Sequence, residues 1–228
     1  MISHAHPPAS CIYGLREELS FCECNGTYIF LDAAADKYFG MLGSTATVFR
    51  SFVSGNALSA AEIETLHAAG ITAPASEPVI TMEMRLPLPL NQHEAALTGA
   101  LTLGRTISAV MAIRQARRRI RKRRIADIFA ELRTQRDAID DRRCQPMPHV
   151  ASILRAFEHT RLWIASADQC LPRTYALVRS LARCDYPAVF VIGVRSDPFQ
   201  AHCWAQHGTD VLNDSPEEVA KFTPILAI

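Results

Sequence analysis

The sequence predicts an α+β protein in two parts: a small N-terminal three-stranded sheet with helices, then a larger part in which helices precede strands. Three observations carry this expectation. Asn25-Gly26 separates two short strand-like runs, prolines concentrate between residues 74 and 90, and amphipathic helical stripes give way after Pro187 to a nearly continuous apolar run. With 49% apolar and 21% charged residues among 228, the chain has a globular composition that excludes disorder and fibrous repeats.

Residues 19–24 (LSFCEC) and 27–31 (TYIFL) flank Asn25-Gly26, the pair that best accepts the positive φ angles of a two-residue hairpin turn. A third short strand is expected at Lys37–Phe39. Val48, Phe49, Phe52 and Val53 then recur at helical spacing, and Ser59-Ala60-Ala61-Glu62 reads as a capping box that opens a helix through Leu66 and ends at Gly70. Pro74, Pro78, Pro87 and Pro89 each remove a backbone donor and bias the preceding residue away from helix. The expected organisation is a domain over residues 1–80, a Pro-rich linker over 81–92 and a second domain over 93–228.

Helix is expected to return near His93, and Ile125, Ile128, Phe129 and Leu132 form one apolar stripe on a charged segment. Another helix carries Ile153, Leu154, Phe157 and Ile164 and breaks at 166–168. The next buries Leu171, Thr174, Tyr175, Val178, Leu181 and Ala182 and stops at Asp185–Pro187. Ala188–Val194 then reads as a strand covered on both faces. Phe199–Gln206 and Asp210–Asp214 follow as two strands of a hairpin around Gly208.

The formal charge is +1, from 24 basic and 23 acidic residues. Eight of the basic residues lie within Arg114–Arg124 (RQARRRIRKRR), leaving 16 basic against 23 acidic elsewhere. A solvated helix face or a protein-docking face is the expected use of this run. Nucleic-acid binding is not expected, because no aromatic residue interleaves with the arginines to stack on bases. Seven Cys without any C-x-x-C fit neither a disulfide framework nor a zinc site, so a reducing, cytoplasmic setting and no metal are expected. His4, His6, Pro7 and Pro8 stand where the apolar core of a signal peptide would be required. Ala95–Ile113 is apolar enough to be weighed as a membrane span, but Arg105 at its centre costs about 2.5–3.5 kcal/mol on insertion, and no membrane association is expected.

Asp168 is placed to cap the helix that follows, which would put Cys170 in its first turn, where free N–H groups and the helix dipole favour a thiolate. Such a cysteine is equally compatible with a small core residue. A turn centred on Gly208 would set His202 opposite Asp214 on one face, whereas a one-residue slip would put them on opposite faces.

Residues 169–228, with QCLPRTYALVRSLAR, VFVIGVRSDPFQAHCWAQ and VLNDSPEEVAKFTPILAI, resemble the C-terminal part of the B proteins of lasso-peptide biosynthesis, leader peptidases of the microcin J25 type. These are transglutaminase-like, papain-related cysteine proteases. The resemblance implies that Cys170 of the C-L motif is the nucleophile, His202 of the H-x-W motif the acid-base group and Asp214 of the N-D motif its orienting partner. It assigns no role to Cys203, which is expected to be a packing residue. It also implies that the first part is a winged-helix-like recognition element joined to the protease domain. A precursor leader would add as a strand along Tyr38 and Phe39, with Leu66 as a helix contact; both aromatics are also good core residues. The implied partners are a lasso precursor peptide and an asparagine-synthetase-like cyclase. ATP dependence is left open by the resemblance, and no Gly-rich phosphate loop is visible. Two alternatives stand beside this reading: an acyltransferase on the same scaffold, and a non-enzymatic adaptor for peptide or nucleic acid.

Overall fold

A computed structural model describes residues 12–75, 86–92, 100–140, 147–162 and 169–228. The chain divides into two compact units, Met1–Glu83 and Met84–Ile228.

In the first unit, β2 (Leu19–Cys24), β3 (Thr27–Asp32) and β4 (Lys37–Met41) form an antiparallel sheet in chain order. Asn25 and Gly26 take φ angles of 51° and 76°, so both central residues of the β2–β3 turn adopt the left-handed conformation that matches strand twist. The register lines up Phe21, Phe30 and Phe39 across the three strands. Helix α1 (Gly43–Val53) inserts Phe49 among them, its ring centroid 4.9 Å from those of both Phe21 and Phe30. Helix α2 (Ala60–Ala68) starts with the expected capping box: Ser59 Oγ accepts from Glu62 N and the Glu62 carboxylate accepts from Ser59 N.

Two strands here go beyond the sequence reading. β1 (Ile12–Leu15) and β5 (Thr72–Ala75) pair antiparallel, with Pro74 opposite Tyr13. A two-stranded ribbon tolerates this proline, since a residue whose donor would face outward loses no ladder bond. Arg16 secures the ribbon by donating to Gly70 O at 3.0 Å and pairing with Asp32 at 2.7 Å.

The described part of the second unit opens with an irregular stretch, residues 86–90, and β6 (Asn91–Gln92). Helices α3 (Leu103–Ile120), α4 (Ile125–Asp137) and α5 (Met147–His159) follow, then a 3-10 turn at Thr160–Leu162 and α6 (Cys170–Ala182). The chain ends with β7 (Val189–Ser196), β8 (Phe199–His207), β9 (Asp210–Val211), α7 (Pro216–Val219) and β10 (Thr223–Ala227). The sheet order is β10-β7-β8-β9-β6, antiparallel except for the β6–β9 pair. Helix α6 packs on both α3 and β8. Val191, Trp204, Val211, Val219 and Phe222 form a core cluster, with Leu86 packed against it.

The stretch expected to be linker is therefore partly structural. Pro87 O accepts from Gln206 Nε2 at 2.7 Å, Leu90 N donates to Thr209 O at 2.9 Å, and Asn91–Gln92 extends the sheet. The expected helix start at His93 lies outside the described residues; α3 is described from Leu103, where Thr102 Oγ1 accepts from Arg105 N. The basic run is split rather than lying within one helix: its first part ends α3 and its remainder turns into α4. Basic side chains at a helix C-terminus oppose the negative dipole end. Two of the run's arginines also pair with Glu131 of α4, as does Arg179 of α6, while Tyr175 donates to the same carboxylate at 3.1 Å. Among the described residues no helix is long and apolar enough to cross a membrane.

Candidate active site

Helix α6 starts at Cys170, and Gln169 occupies the N-cap position with no side-chain cap bond. The expected cap, Asp168, and the stripe residue Ile164 lie outside the described residues. Pro172 sits in the first turn, where its missing N–H has no intrahelical acceptor to lose. One turn further along, Thr174 is fully buried against β8 and its hydroxyl donates to Cys203 O at 3.1 Å.

His202 on β8 pairs with Gly193 of β7. Its Nε2 lies 2.7 Å from Asp214 Oδ2, and Asp214 Oδ1 accepts from Ser215 N at 2.9 Å. The pair forms, but not through the register expected. The turn is Gly208-Thr209, with His207 opposite Asp210 and Gln206 opposite Val211, a slip of one residue. Continued regularly, that ladder would put Asp214 on the wrong face. The ladder instead ends at Val211, and the chain bends. Asn213 Oδ1 takes over as acceptor for Ala205 N at 2.7 Å, while its Nδ2 donates to Thr174 Oγ1 at 2.9 Å. Asn213 thus ties together the strand carrying His202, the helix carrying Cys170 and the bend carrying Asp214. No periodicity announces such a side-chain bridge; the only signal was the N-D pair itself.

Cys170 lies within hydrogen-bonding reach of both the Cys203 side chain and His202. The Cys203 bond is the largest influence on its thiol; burial opposes it, but with His202 and the Cys203 backbone N–H added, the pKa falls to about 4. For His202 burial works first against the charged ring, yet hydrogen bonds to Asp214 and Cys170 outweigh it and raise the pKa to about 9. Asp214 is likewise penalised by burial, but the His202 bond and the Ser215 N–H hold it below the ordinary carboxylate value. With Nε2 engaged by Asp214, Nδ1 is the ring nitrogen left for Cys170. The arrangement favours a thiolate–imidazolium pair, the state a cysteine nucleophile requires.

The ring of His202 is flanked by Phe222 at 5.1 Å and Trp204 at 6.3 Å between centroids. Gly193 makes this packing possible: a Cβ there would meet the Trp204 ring at 2.7 Å and Phe222 Cβ at 2.9 Å. Trp204 Nε1 donates to Gln206 Oε1, and the Gln206 amide donates to Pro87 O and Gly208 O. Sequence reasoning gave no role at this site to Gly193, Thr174, Gln206 or Asn213. Nor did it give one to Cys203, expected as inert packing: this residue is buried, but its side chain contacts Cys170 and its own pKa is driven well up, by that hydrogen bond first and burial second.

In the first unit, Tyr38 and Phe39 lie on β4, half-buried, and Phe39 stacks on Phe30 at 5.0 Å. Among the described residues, β4 pairs with β3. Leu66 corrects the expectation of a peptide contact: it is 0% exposed, enclosed in the aromatic core with Phe49 and Ile71. Its helical spacing marked it for burial, and the sheet side of α2 absorbs it.

The helical layer, the antiparallel sheet behind it and the cysteine at a helix start facing a histidine on a strand define a recognised class. Residues 108–227, more than half of the chain, match the family model of the Transglutaminase-like superfamily, and the chain belongs to that superfamily. Over 61 residues it is 42% identical to the microcin J25-processing protein McjB of Escherichia coli. The match takes in 27% of this chain and spans 29% of that protein's length. No solved structure gives a significant match.

Proposed function

We propose that the chain is a cysteine peptidase that releases the leader of a ribosomally made lasso precursor, delivering the core to an asparagine-synthetase-like cyclase. The observation that carries this reading is the meeting of Cys170, His202 and Asp214, with His202 Nε2 2.7 Å from Asp214. The similarity to a microcin J25-processing protein supports this substrate class.

In this mechanism the Cys170 thiolate attacks the scissile carbonyl, and the Cys170 backbone N–H, free of an intrahelical acceptor at the start of α6, donates to the oxyanion. His202 protonates the leaving amine and then takes a proton from the water that hydrolyses the acyl-enzyme, while Asp214 holds the ring and balances its charge. None of these steps calls on a metal or other cofactor. The leader adds as a strand along β4 beside Tyr38 and Phe39, with backbone bonds giving affinity. The setting proposed is the cytoplasm.

Mass spectrometry of precursor peptide incubated with the protein tests the reading. Leader ending in a free acid is expected from the wild type and none from Cys170→Ala or His202→Ala, while labelled leader saturates binding to all three proteins. The superfamily name favours one other reading, acyl transfer to an amine. A crosslinked product in place of the free acid would establish it.

A further inference from the structure

Cys203 lies between His202 and Trp204 on β8 and is 6% exposed. Its position relative to Cys170 is fixed by bonds that do not involve either sulfur. Thr174, one turn along α6 from Cys170, donates to the Cys203 carbonyl at 3.1 Å. Asn213 grips the same Thr174 hydroxyl and the neighbouring Ala205 N–H. Beyond Val211 the β9 ladder has ended, so the Cys203 N–H meets the Cys170 sulfur rather than a strand. The Cys203 side chain reaches the same sulfur.

A buried S–H is a weak donor toward neutral acceptors, and it gains most when the acceptor is an anion, because charge-assisted bonds are about twice as strong as neutral ones. Here water does not compete for it, and the acceptor on hand is the sulfur that must be anionic to react.

We propose that Cys203 is a positioning residue for the nucleophile: its thiol donates to Cys170 Sγ, and together with its backbone N–H it holds that sulfur as a thiolate aimed at the substrate. The proposal rests on Cys170 being the nucleophile, but on no particular substrate. The two residues divide the work. Cys170 is the anion and acceptor, whereas Cys203 keeps its proton and never forms a bond to substrate.

The test is the pH dependence of iodoacetamide alkylation at Cys170, followed by peptide mass spectrometry on the full chain. Cys203→Ala should move the inflection upward by about one pH unit, a roughly tenfold slower alkylation below both inflections. Cys203→Ser, which restores a donor, should return the inflection most of the way to wild type. An unshifted inflection in Cys203→Ala overturns the proposal. Equal shifts in the Ala and Ser variants also overturn it, since loss of packing alone would then account for both. Should Cys203→Ala fail to fold, Cys203→Val against Cys203→Ser gives the same comparison between a residue without a donor and one with it. Failure to alkylate Cys170 in the wild type at neutral pH would instead defeat its assignment as nucleophile. Absence of cleavage of a given peptide leaves the alkylation comparison intact.

Discussion

His202 sits between two groups that both favour its charged form, Asp214 on one side and the Cys170 sulfur on the other. With Cys170 at about 4 and His202 at about 9, the thiolate–imidazolium pair fills the interval between them. Peptide cleavage should therefore follow a bell in kcat/KM, rising through about pH 4 and falling through about pH 9. Asp214→Asn should lower the rate and draw the alkaline limb downward, as an imidazolium without its carboxylate releases its proton more readily. Gly193→Ala should also disturb this site, because the added methyl meets Trp204 and Phe222 inside 3 Å. Overpacking of this kind costs about 1–3 kcal/mol, readable as a lower urea midpoint, and Phe222 would press on the His202 ring. That Cys170, His202 and Asp214 would meet was expected from the C-L, H-x-W and N-D motifs, each of which is local. Their geometry was not legible: the inferred register was off by one residue, and the pair forms because Asn213 replaces a ladder bond with a side chain.

At the scale of elements, strong local chemistry was readable and weak local chemistry was not. Asn25-Gly26 and the Ser59–Glu62 box each specify their structure within a few residues. β1, β5 and β6 are strands only because distant partners pair with them, and two to four residues carry too little alternation to announce it. The basic run shows the same limit, since its use depends on Glu131, which joins α3, α4 and α6. Burial raises the pKa of this carboxyl, but the Arg123 bond, Arg179, Tyr175 and Arg119 together carry it below its ordinary value of 4.5. A carboxylate depressed in the folded state supplies stability above its unfolded pKa and forfeits it as pH falls through the folded value. Melting temperatures of wild type and Glu131→Gln should differ most near neutrality and converge as pH falls below about 4.5. A gap that stays constant as the pH is taken well below that value would show that the carboxylate's charge does not hold these helices together.

For the whole molecule, composition and proline placement already implied two parts, and the chain does divide into two units. What the sequence concealed is where the second one starts, because a Pro-rich stretch reads as a spacer whether or not its carbonyls are in use. Here they are: Pro87 O caps the Gln206 amide beneath Trp204, Leu86 covers the same cluster, and β6 closes the sheet beside β9. Anyone dissecting the protein therefore faces an unequal choice of cut sites. A fragment starting at Met84 keeps every one of these contacts and should melt cooperatively. One starting at His93 leaves a buried amide hydrogen with one fewer acceptor and an uncovered patch beside Trp204, a deficit of about 1–3 kcal/mol for the amide alone. Comparing the two fragments by calorimetry would read that deficit as a lower melting temperature and, since Asp214 lies three residues beyond β9, as a weaker grip on the His202 ring.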